Sequence, residues 1–335
     1  MVRVAINGFG RIGRMFLRTA LQDKNIQVVA INDLTDTQTL ATLFQYDSVH
    51  GKFPQRVTAT KSNIKIGKTR IPIFAKRDPS ELPWEKYKVD VVLESTGVFR
   101  DPDAAAQHLK AGAKKVILSA PAKPQEKTKT KHQTIVLGVN HKEYKKSINI
   151  VSNASCTTNC VAPTLKVIND TFGIQSCMFT TIHGYTADQR IVDAPHKDLR
   201  RARAAALNIV PTSTGADVAT TKVIPKLKGK IKGKAFRVPV ADGSVTDFVI
   251  HTKKKVTTET VNAAFKIASK KQLKGILEYS EDPLVSTDII GNPHSAIFDS
   301  QLTTTLGDNI VKLVVWYDNE WGYSSRLIDL IKKIH

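Results

Sequence analysis

Gly8-Phe9-Gly10-Arg11-Ile12-Gly13 stands between an apolar β-branched run, Val2 to Ile6, and a helical stretch, Ile12 to Leu21. Three glycines at this spacing ask for a tight turn, a backbone that a ligand can approach, and close packing of helix on strand. The start of the helix then turns unpartnered N–H groups and the positive end of its dipole toward an anion. The same pattern wants an acid about twenty residues on, and Asp33 stands at the end of the next apolar run, Ile26 to Asn32. Its carboxylate can accept from both hydroxyls of a ribose and repels a 2′-phosphate. The expected cofactor is therefore NAD rather than NADP.

The rest of the first half keeps this strand–helix rhythm. Val2–Ile6, Ile26–Asn32, Val89–Leu93, Val116–Leu118 and Ile135–Leu137 read as short buried strands, with helical stretches at Ile12–Leu21 and Ala104–Ala111. Such alternation predicts an α/β fold, a doubly wound, mostly parallel sheet of Rossmann type. Residues 54–73 alternate around Gly67 and read as a small antiparallel insertion, and residues 121–133 as a loop. The second half reads differently: a helix from Cys156 to Asn169, then strands at Ile174–Ile182, Ala235–Val240, Ser244–His251 and Ile310–Trp316. That is an α+β domain with a mixed or antiparallel sheet. Between them, residues 184–215 have little strand character, and a connection that long is usually functional. At 335 residues the chain exceeds what one core usually serves. Two domains are expected: 1–151, completed by a C-terminal helix at 319–335, and a catalytic domain at 152–318.

The charge is +20, with lysines clustered at 123–131, 225–234 and 253–255. Nucleic-acid binding would want aromatic stacking platforms among them, and none is visible. The clusters read as solvated faces, leaving only nonspecific polyanion binding. No run of eighteen apolar residues predicts a membrane span, and the first residues read directly as strand and turn without a signal peptide. The expected location is the cytoplasm. The three cysteines, Cys156, Cys160 and Cys177, form no disulfide framework. Cys156 and Cys160 lack the second ligand pair of a zinc site, so no metal is expected.

Ser-Asn-Ala-Ser-Cys-Thr-Thr-Asn-Cys, residues 152–160, carries the second chemical signal. Ser, Asn and Thr are helix-starting residues. A thiol in a first helical turn feels the positive end of the dipole, which favours thiolate. The expectation is a sulfur nucleophile at Cys156, ionised at rest. It needs a base, and His183 at the end of a strand, with Thr186 and Asp188 nearby, is the best candidate. Thr212-Ser-Thr214-Gly215-Ala216 offers hydroxyls and backbone N–H groups to an anion. Arg237 lies in an apolar strand, where charge is costly unless paired or liganded. Arg200, Arg201 and Arg203 cluster in the long connection.

Seven stretches together resemble the phosphorylating glyceraldehyde-3-phosphate dehydrogenase family over nearly the whole chain. They are Ile6-Asn-Gly-Phe-Gly-Arg-Ile-Gly-Arg14, Ile31-Asn-Asp33, Tyr46-Asp-Ser-Val-His-Gly51, Glu94-Ser-Thr-Gly97, Ala154-Ser-Cys-Thr-Thr-Asn-Cys-Val-Ala-Pro163, His196-Lys-Asp-Leu-Arg-Arg-Ala-Arg203 and Trp316-Tyr-Asp-Asn-Glu-Trp-Gly-Tyr-Ser324. The resemblance implies a Cys156 nucleophile with His183 as its base. It implies inorganic phosphate and substrate held by Ser155, Thr157, Thr214, Gly215 and Arg237, and the substrate's C3 phosphate by Thr186, Asp188, Arg201 and Arg237. It places NAD on the glycine motif and on Asn7, Phe9, Arg11, Ile12, Asp33, Arg77, Thr96, Ser119 and Asn319. Leu34 and Pro195 resemble the NAD-preferring pattern. The implied substrates are glyceraldehyde 3-phosphate and inorganic phosphate, and the implied assembly is a homotetramer. Two features depart from the family: Gly184, where Ser or Ala is common and a looser backbone beside the base is expected, and the large positive charge. Two alternatives remain at this point, an erythrose-4-phosphate dehydrogenase and a polyanion-binding protein with secondary enzyme activity.

Overall fold

β-Branched and aliphatic runs with almost no exposed side chains can only be interior strands, and the first such runs form the centre of a parallel sheet. The structure, a computed structural model, describes residues 1–335. The chain separates into two units, residues 1–135, 142–154 and 324–335 in one, and 136–141 and 155–323 in the other.

The first unit begins β1 Val2–Asn7, α1 Arg11–Ala20, β2 Ile26–Asn32 and α2 Thr37–Gln45. A meander follows, β3 Val57–Thr60, β4 Asn63–Ile66 and β5 Thr69–Phe74, antiparallel within itself. Its last residues pair parallel with β2, Ile31 opposite Ile73. Then come β6 Val91–Glu94, short helices α3 Pro102–Ala105 and α4 Gln107–Lys110, and strands β7 Lys115–Leu118, β8 His132–Thr134 and β9 Ile150–Ser152. The spatial order is β3-β4-β5-β2-β1-β6-β7-β9-β8. From β5 to β8 every pairing is parallel, so the sheet is doubly wound with its reversal between β1 and β6.

Two expectations need correction here. Ile135–Leu137 is buried but is not a strand, because the Val136 N–H donates to Asn140 Oδ1 at 2.9 Å and the chain turns. The edge strand lies just before it, at β8. The helix expected over 104–111 begins two residues earlier and is broken. Asp101 caps Asp103 N and Ala104 N ahead of Pro102, which has no N–H to lose in a first turn.

The second unit carries α5 Cys156–Thr171, β10 Ile174–Gly184, β11 Val210–Thr212, α6 Ala216–Val223, β12 Ile231–Val238, β13 Ser244–Thr252, α7 Thr258–Lys270, β14 Leu277–Ser280, β15 Ala296–Asp299, β16 Thr304–Leu306 and β17 Ile310–Tyr317. The last helix, α8 Trp321–Ile334, runs on into the first unit. Strand order is β11-β12-β10-β13-β17-β15-β14, with β16 beside β17. β10 pairs parallel with β12 and antiparallel with β13, which makes the sheet mixed. The buried face of α5 (Cys160, Val161, Leu165, Ile168) shares one core with Phe248, Ile250, Leu313 and Val315 from that sheet.

β12 starts at Ile231, not at Ala235. Ile231 and Ala235 point inward, and Gly233 between them lies against the Phe179 ring, where a Cβ would stand 2.3 Å away. Lys232 and Lys234 alternate outward, so part of the 225–234 lysine cluster is the open side of a strand. α7 was not expected from the sequence; it opens on a cap in which Thr257 and Thr260 bond reciprocally. No helix is long and apolar enough to cross a membrane.

Candidate active site

The first candidate site lies at the C-terminal ends of β1, β2 and β6, where the strand order reverses and ligands bind in such sheets. A cavity of about 380 Å³ is lined there by Asn7, Gly8, Gly10, Asp33, Arg77 and Thr96, among others. The three glycines do different things. Gly8 has φ +93°, and a Cβ on it would fall 2.6 Å from Thr96 N. A Cβ on Gly13 would fall 2.3 Å from Gly8 O, so its absence lets α1 seat on β1. A Cβ on Gly10 would meet nothing within 4 Å. Gly10 also begins α1 with no side-chain cap. Open space and uncapped N–H groups at one helix start suit a pyrophosphate.

Asp33 is pinned at the lip of this cavity, its Oδ2 accepting from Phe9 N at 2.8 Å and its Oδ1 from Thr35 N at 2.9 Å. Each oxygen keeps a lone pair for a ribose diol. Phe9 is buried and packs on Phe44, so what it offers the site is its backbone. The Arg11 guanidinium is engaged by Asp47, Nη1 to Oδ2 at 2.5 Å. Gly13 and Ile12 belong to the helix behind the cavity, while Ser119 and Asn319 do not line it. Asn319 belongs to the second unit, where its Oδ1 accepts from Ser244 Oγ at 2.6 Å.

The second site is a sulfur and an imidazole. Ser155 has extended dihedrals and caps α5, its Oγ accepting from Thr158 N at 3.0 Å. Cys156 is thereby the first residue of the helix. Its Sγ lies 3.4 Å from Nε2 of His183, near the end of β10. In register with His183, one strand over, is Arg237. Arg237 Nη1 donates to Gly184 O at 2.9 Å and lies 2.7 Å from His183 Nδ1, which is itself 2.7 Å from Gly184 O. Both nitrogens can donate to that one carbonyl. In that arrangement Nδ1 carries the ring hydrogen and Nε2 presents its lone pair to sulfur.

Burial works against charge on both groups. Burial pushes the Cys156 thiol up, while the Arg237 charge and hydrogen bonding from Thr157 pull it back. Burial and then Arg237 push His183 down to about 3. Each direction is that of one group facing a neutral partner, and the attraction between a thiolate and an imidazolium 3.4 Å apart works the other way.

The expected anion groups divide. Arg237 Nε is buried without an acceptor, a donor aimed at nothing in the protein. Gly215 begins α6 with no side-chain cap and open space beside its Cα, and Thr214 Oγ1 accepts from Ala216 N at 3.2 Å. These suit an oxyanion. Ser155 Oγ is committed to the helix cap, and Thr157 Oγ1 is tied to Tyr317 OH at 3.0 Å. Arg201 pairs with Asp188 at 2.5 Å, and its Nε donates to Thr212 Oγ1 at 3.0 Å. Asp188 is a carboxylate and holds Arg201 rather than an anion. Thr186 N bonds Gln189 Oε1.

Gly184 also corrects its expectation. A Cβ there would stand 2.9 Å from Val240 O and 3.2 Å from Ala241 O. The glycine tightens the backbone beside the base instead of loosening it. Tyr317 was missed as a functional residue. Its OH bridges Thr157 and Thr181, the latter at 2.7 Å, and its ring meets His183 edge-on. Only its place beside Trp316 in a family motif could have flagged it.

Both halves of the chain match known families. Residues 2–102 match the family described as glyceraldehyde 3-phosphate dehydrogenase, NAD binding domain, and residues 155–319 match glyceraldehyde 3-phosphate dehydrogenase, C-terminal domain. Glyceraldehyde-3-phosphate dehydrogenase of Mycobacterium avium is 55% identical over 337 residues, covering 98% of this chain and 97% of the relative. Glyceraldehyde-3-phosphate dehydrogenase 2 of Streptomyces avermitilis is 52% identical over 331 residues, with the same coverage. Glyceraldehyde-3-phosphate dehydrogenase 2 of Bacillus subtilis is 50% identical, covering 99% of this chain and 96% of the relative. With half or more of its residues shared across nearly its full length, this chain belongs to the glyceraldehyde-3-phosphate dehydrogenase family.

Proposed function

We infer that this protein oxidises and phosphorylates glyceraldehyde 3-phosphate to 1,3-bisphosphoglycerate in glycolysis, reducing NAD. The observation that carries this reading is Cys156 Sγ at 3.4 Å from His183 Nε2, at the start of a buried helix. Sulfur adds to the aldehyde carbon as its proton passes to Nε2, so no free thiolate has to persist in the buried site. The resulting oxyanion is met by the helix start at Cys156 and by the newly protonated imidazole. Bound NAD supplies the hydride acceptor. The imidazolium gives its proton to that oxygen, making the thiohemiacetal hydroxyl, and His183 takes it back as hydride leaves and the carbonyl re-forms, leaving a thioester on Cys156. The unanswered Arg237 Nε and the uncapped start at Gly215 hold the phosphate that displaces sulfur.

NAD is held by the glycine motif, Asn7, Asp33, Arg77 and Thr96, which line one cavity. On this reading residues 1–151 with 319–335 bind the cofactor and 152–318 do the chemistry. The working form is a homotetramer. Exposed Ile191, Val192, Leu199, Leu207 and Ile209 in the long connection support an interface there. Three free cysteines fit a reducing cytoplasm.

The test is NADH formation from glyceraldehyde 3-phosphate and NAD, with and without inorganic phosphate. Phosphate-dependent turnover is expected. A rate indifferent to phosphate, or erythrose 4-phosphate as the better substrate, overturns the reading.

A further inference from the structure

Beneath the cofactor cavity lies a buried carboxylate for which neither the fold nor the chemistry above has a use. Glu94 ends β6 and is 3% exposed, with His108 and Trp84 beside it fully buried. A carboxylate in that position is costly unless its lone pairs are filled. Here four donors fill them. Oε1 accepts from Thr96 N at 2.8 Å and Thr96 Oγ1 at 2.5 Å. Oε2 accepts from Asn7 Nδ2 at 2.6 Å and faces His108 Nε2 at 3.1 Å.

The indole of Trp84 decides the direction of that last contact. An indole nitrogen can only donate, and Trp84 Nε1 lies 2.9 Å from His108 Nδ1. Nδ1 therefore accepts, the ring hydrogen sits on Nε2, and His108 donates to Glu94. Beyond Asn7 the chain continues. Asn7 Oδ1 accepts from Asn32 Nδ2 at 2.7 Å, and Asn32 Oδ1 accepts from Lys76 N at 2.8 Å. One carboxylate thus sets Thr96 after β6, Asn7 at the end of β1, Asn32 at the end of β2 and the Lys76–Arg77 loop after β5. All of these line the cavity.

We propose that Glu94 is a positioning residue for the cofactor cradle, aimed by Trp84 through His108, and that the occupancy of the cradle is reported at the Trp84 indole, which touches no ligand. This rests on the reading of that cavity as the NAD site. An amide at position 94 cannot substitute. It would turn its NH₂ toward two of the four donors, and Trp84 prevents His108 from answering by exchanging its ring hydrogen.

The experiment uses Glu94→Gln in the full chain and NAD as the probe. The variant is expected to raise the NAD KM and Kd by about tenfold or more, the size of a buried donor left unmet, with kcat at saturating NAD within about twofold of wild type. In protein carrying ¹⁵N-tryptophan, with the resonance assigned by Trp84→Phe, the wild-type Trp84 indole N–H signal is expected to move when NAD saturates the site. Wild-type NAD affinity in Glu94→Gln overturns the proposal, and so does NAD binding that leaves the indole signal unmoved. Should the variant not fold, the wild-type titration decides alone. A wild-type protein that binds no NAD overturns the cofactor reading and this proposal with it.

Discussion

Arg237 Nη1 stands 2.7 Å from His183 Nδ1, both nitrogens within hydrogen-bond reach of Gly184 O. A permanent charge is thus fixed beside the imidazole that must take the thiol proton. The same charge favours an ionised sulfur and disfavours an imidazolium. Arg237→Gln should raise the midpoint of the pH dependence of Cys156 alkylation by iodoacetamide by roughly one unit, the scale of a nearby unit charge. An unmoved or lower midpoint would show that burial alone sets the thiol.

Cys156→Ser should abolish NADH formation while NAD still binds. A hydroxyl at the same helix start is far from its ionisation range, and His183 alone does not bring it within reach. The cradle residues Asn7 to Thr96 lie outside the unit that carries Cys156, so the NAD Kd should stay within about twofold. Any sustained turnover in this variant removes Cys156 as the nucleophile.

Gly10→Ala and Gly13→Ala should fail in different ways. The new methyl at 10 meets only open space, so stability should change by less than about 1 kcal/mol while NAD affinity drops. The new methyl at 13 lands 2.3 Å from Gly8 O and should destabilise the fold by about 1–3 kcal/mol. Thermal melts and NAD titrations separate the two. Equal loss of NAD binding with equal loss of stability would contradict this division of roles.

Asp47 should make stability depend on acid. Burial works against its ionisation, but Arg11 and the His50 and Val49 N–H groups outweigh it and hold the carboxyl at about 2, below the usual 3.8. A folded value below the unfolded one contributes stability that is complete above pH about 4 and lost as pH falls toward 2. Its size is about 2 kcal/mol. Urea melts should place Asp47→Asn below wild type by about that much at neutral pH, with the gap closing as pH falls. A gap that persists at pH 2 argues against the Arg11 pairing as its source.

Much of the fold was legible because its signals are local. The run Val2–Asn7, the glycine motif and the helix after it depend on residues a few positions apart, and so does the meander around Gly67. The end of an apolar run is less local. Ile135 to Leu137 has every property of a buried strand, yet a side chain at Asn140 takes the N–H that a ladder would need. In β12 the opposite happened. Lysines at alternate positions read as a charged surface, and the partner ring of Phe179 that explains Gly233 comes from a strand more than fifty residues away.

The sequence by itself determined the two chemistries, a phosphate-binding turn with an acid about twenty residues after it and a thiol at a helix start, because each is written in a short stretch at a fixed spacing. Tertiary structure alone set the electrostatics around the thiol and its base, since desolvation depends on everything packed around them. It also decided that Thr157 meets Tyr317 and Asp188 meets Arg201, and that Glu94, His108 and Trp84, spread over twenty-four residues, are hydrogen-bonded in series. Such relations arise when distant segments are brought within a hydrogen bond of each other, and no spacing along the chain encodes that.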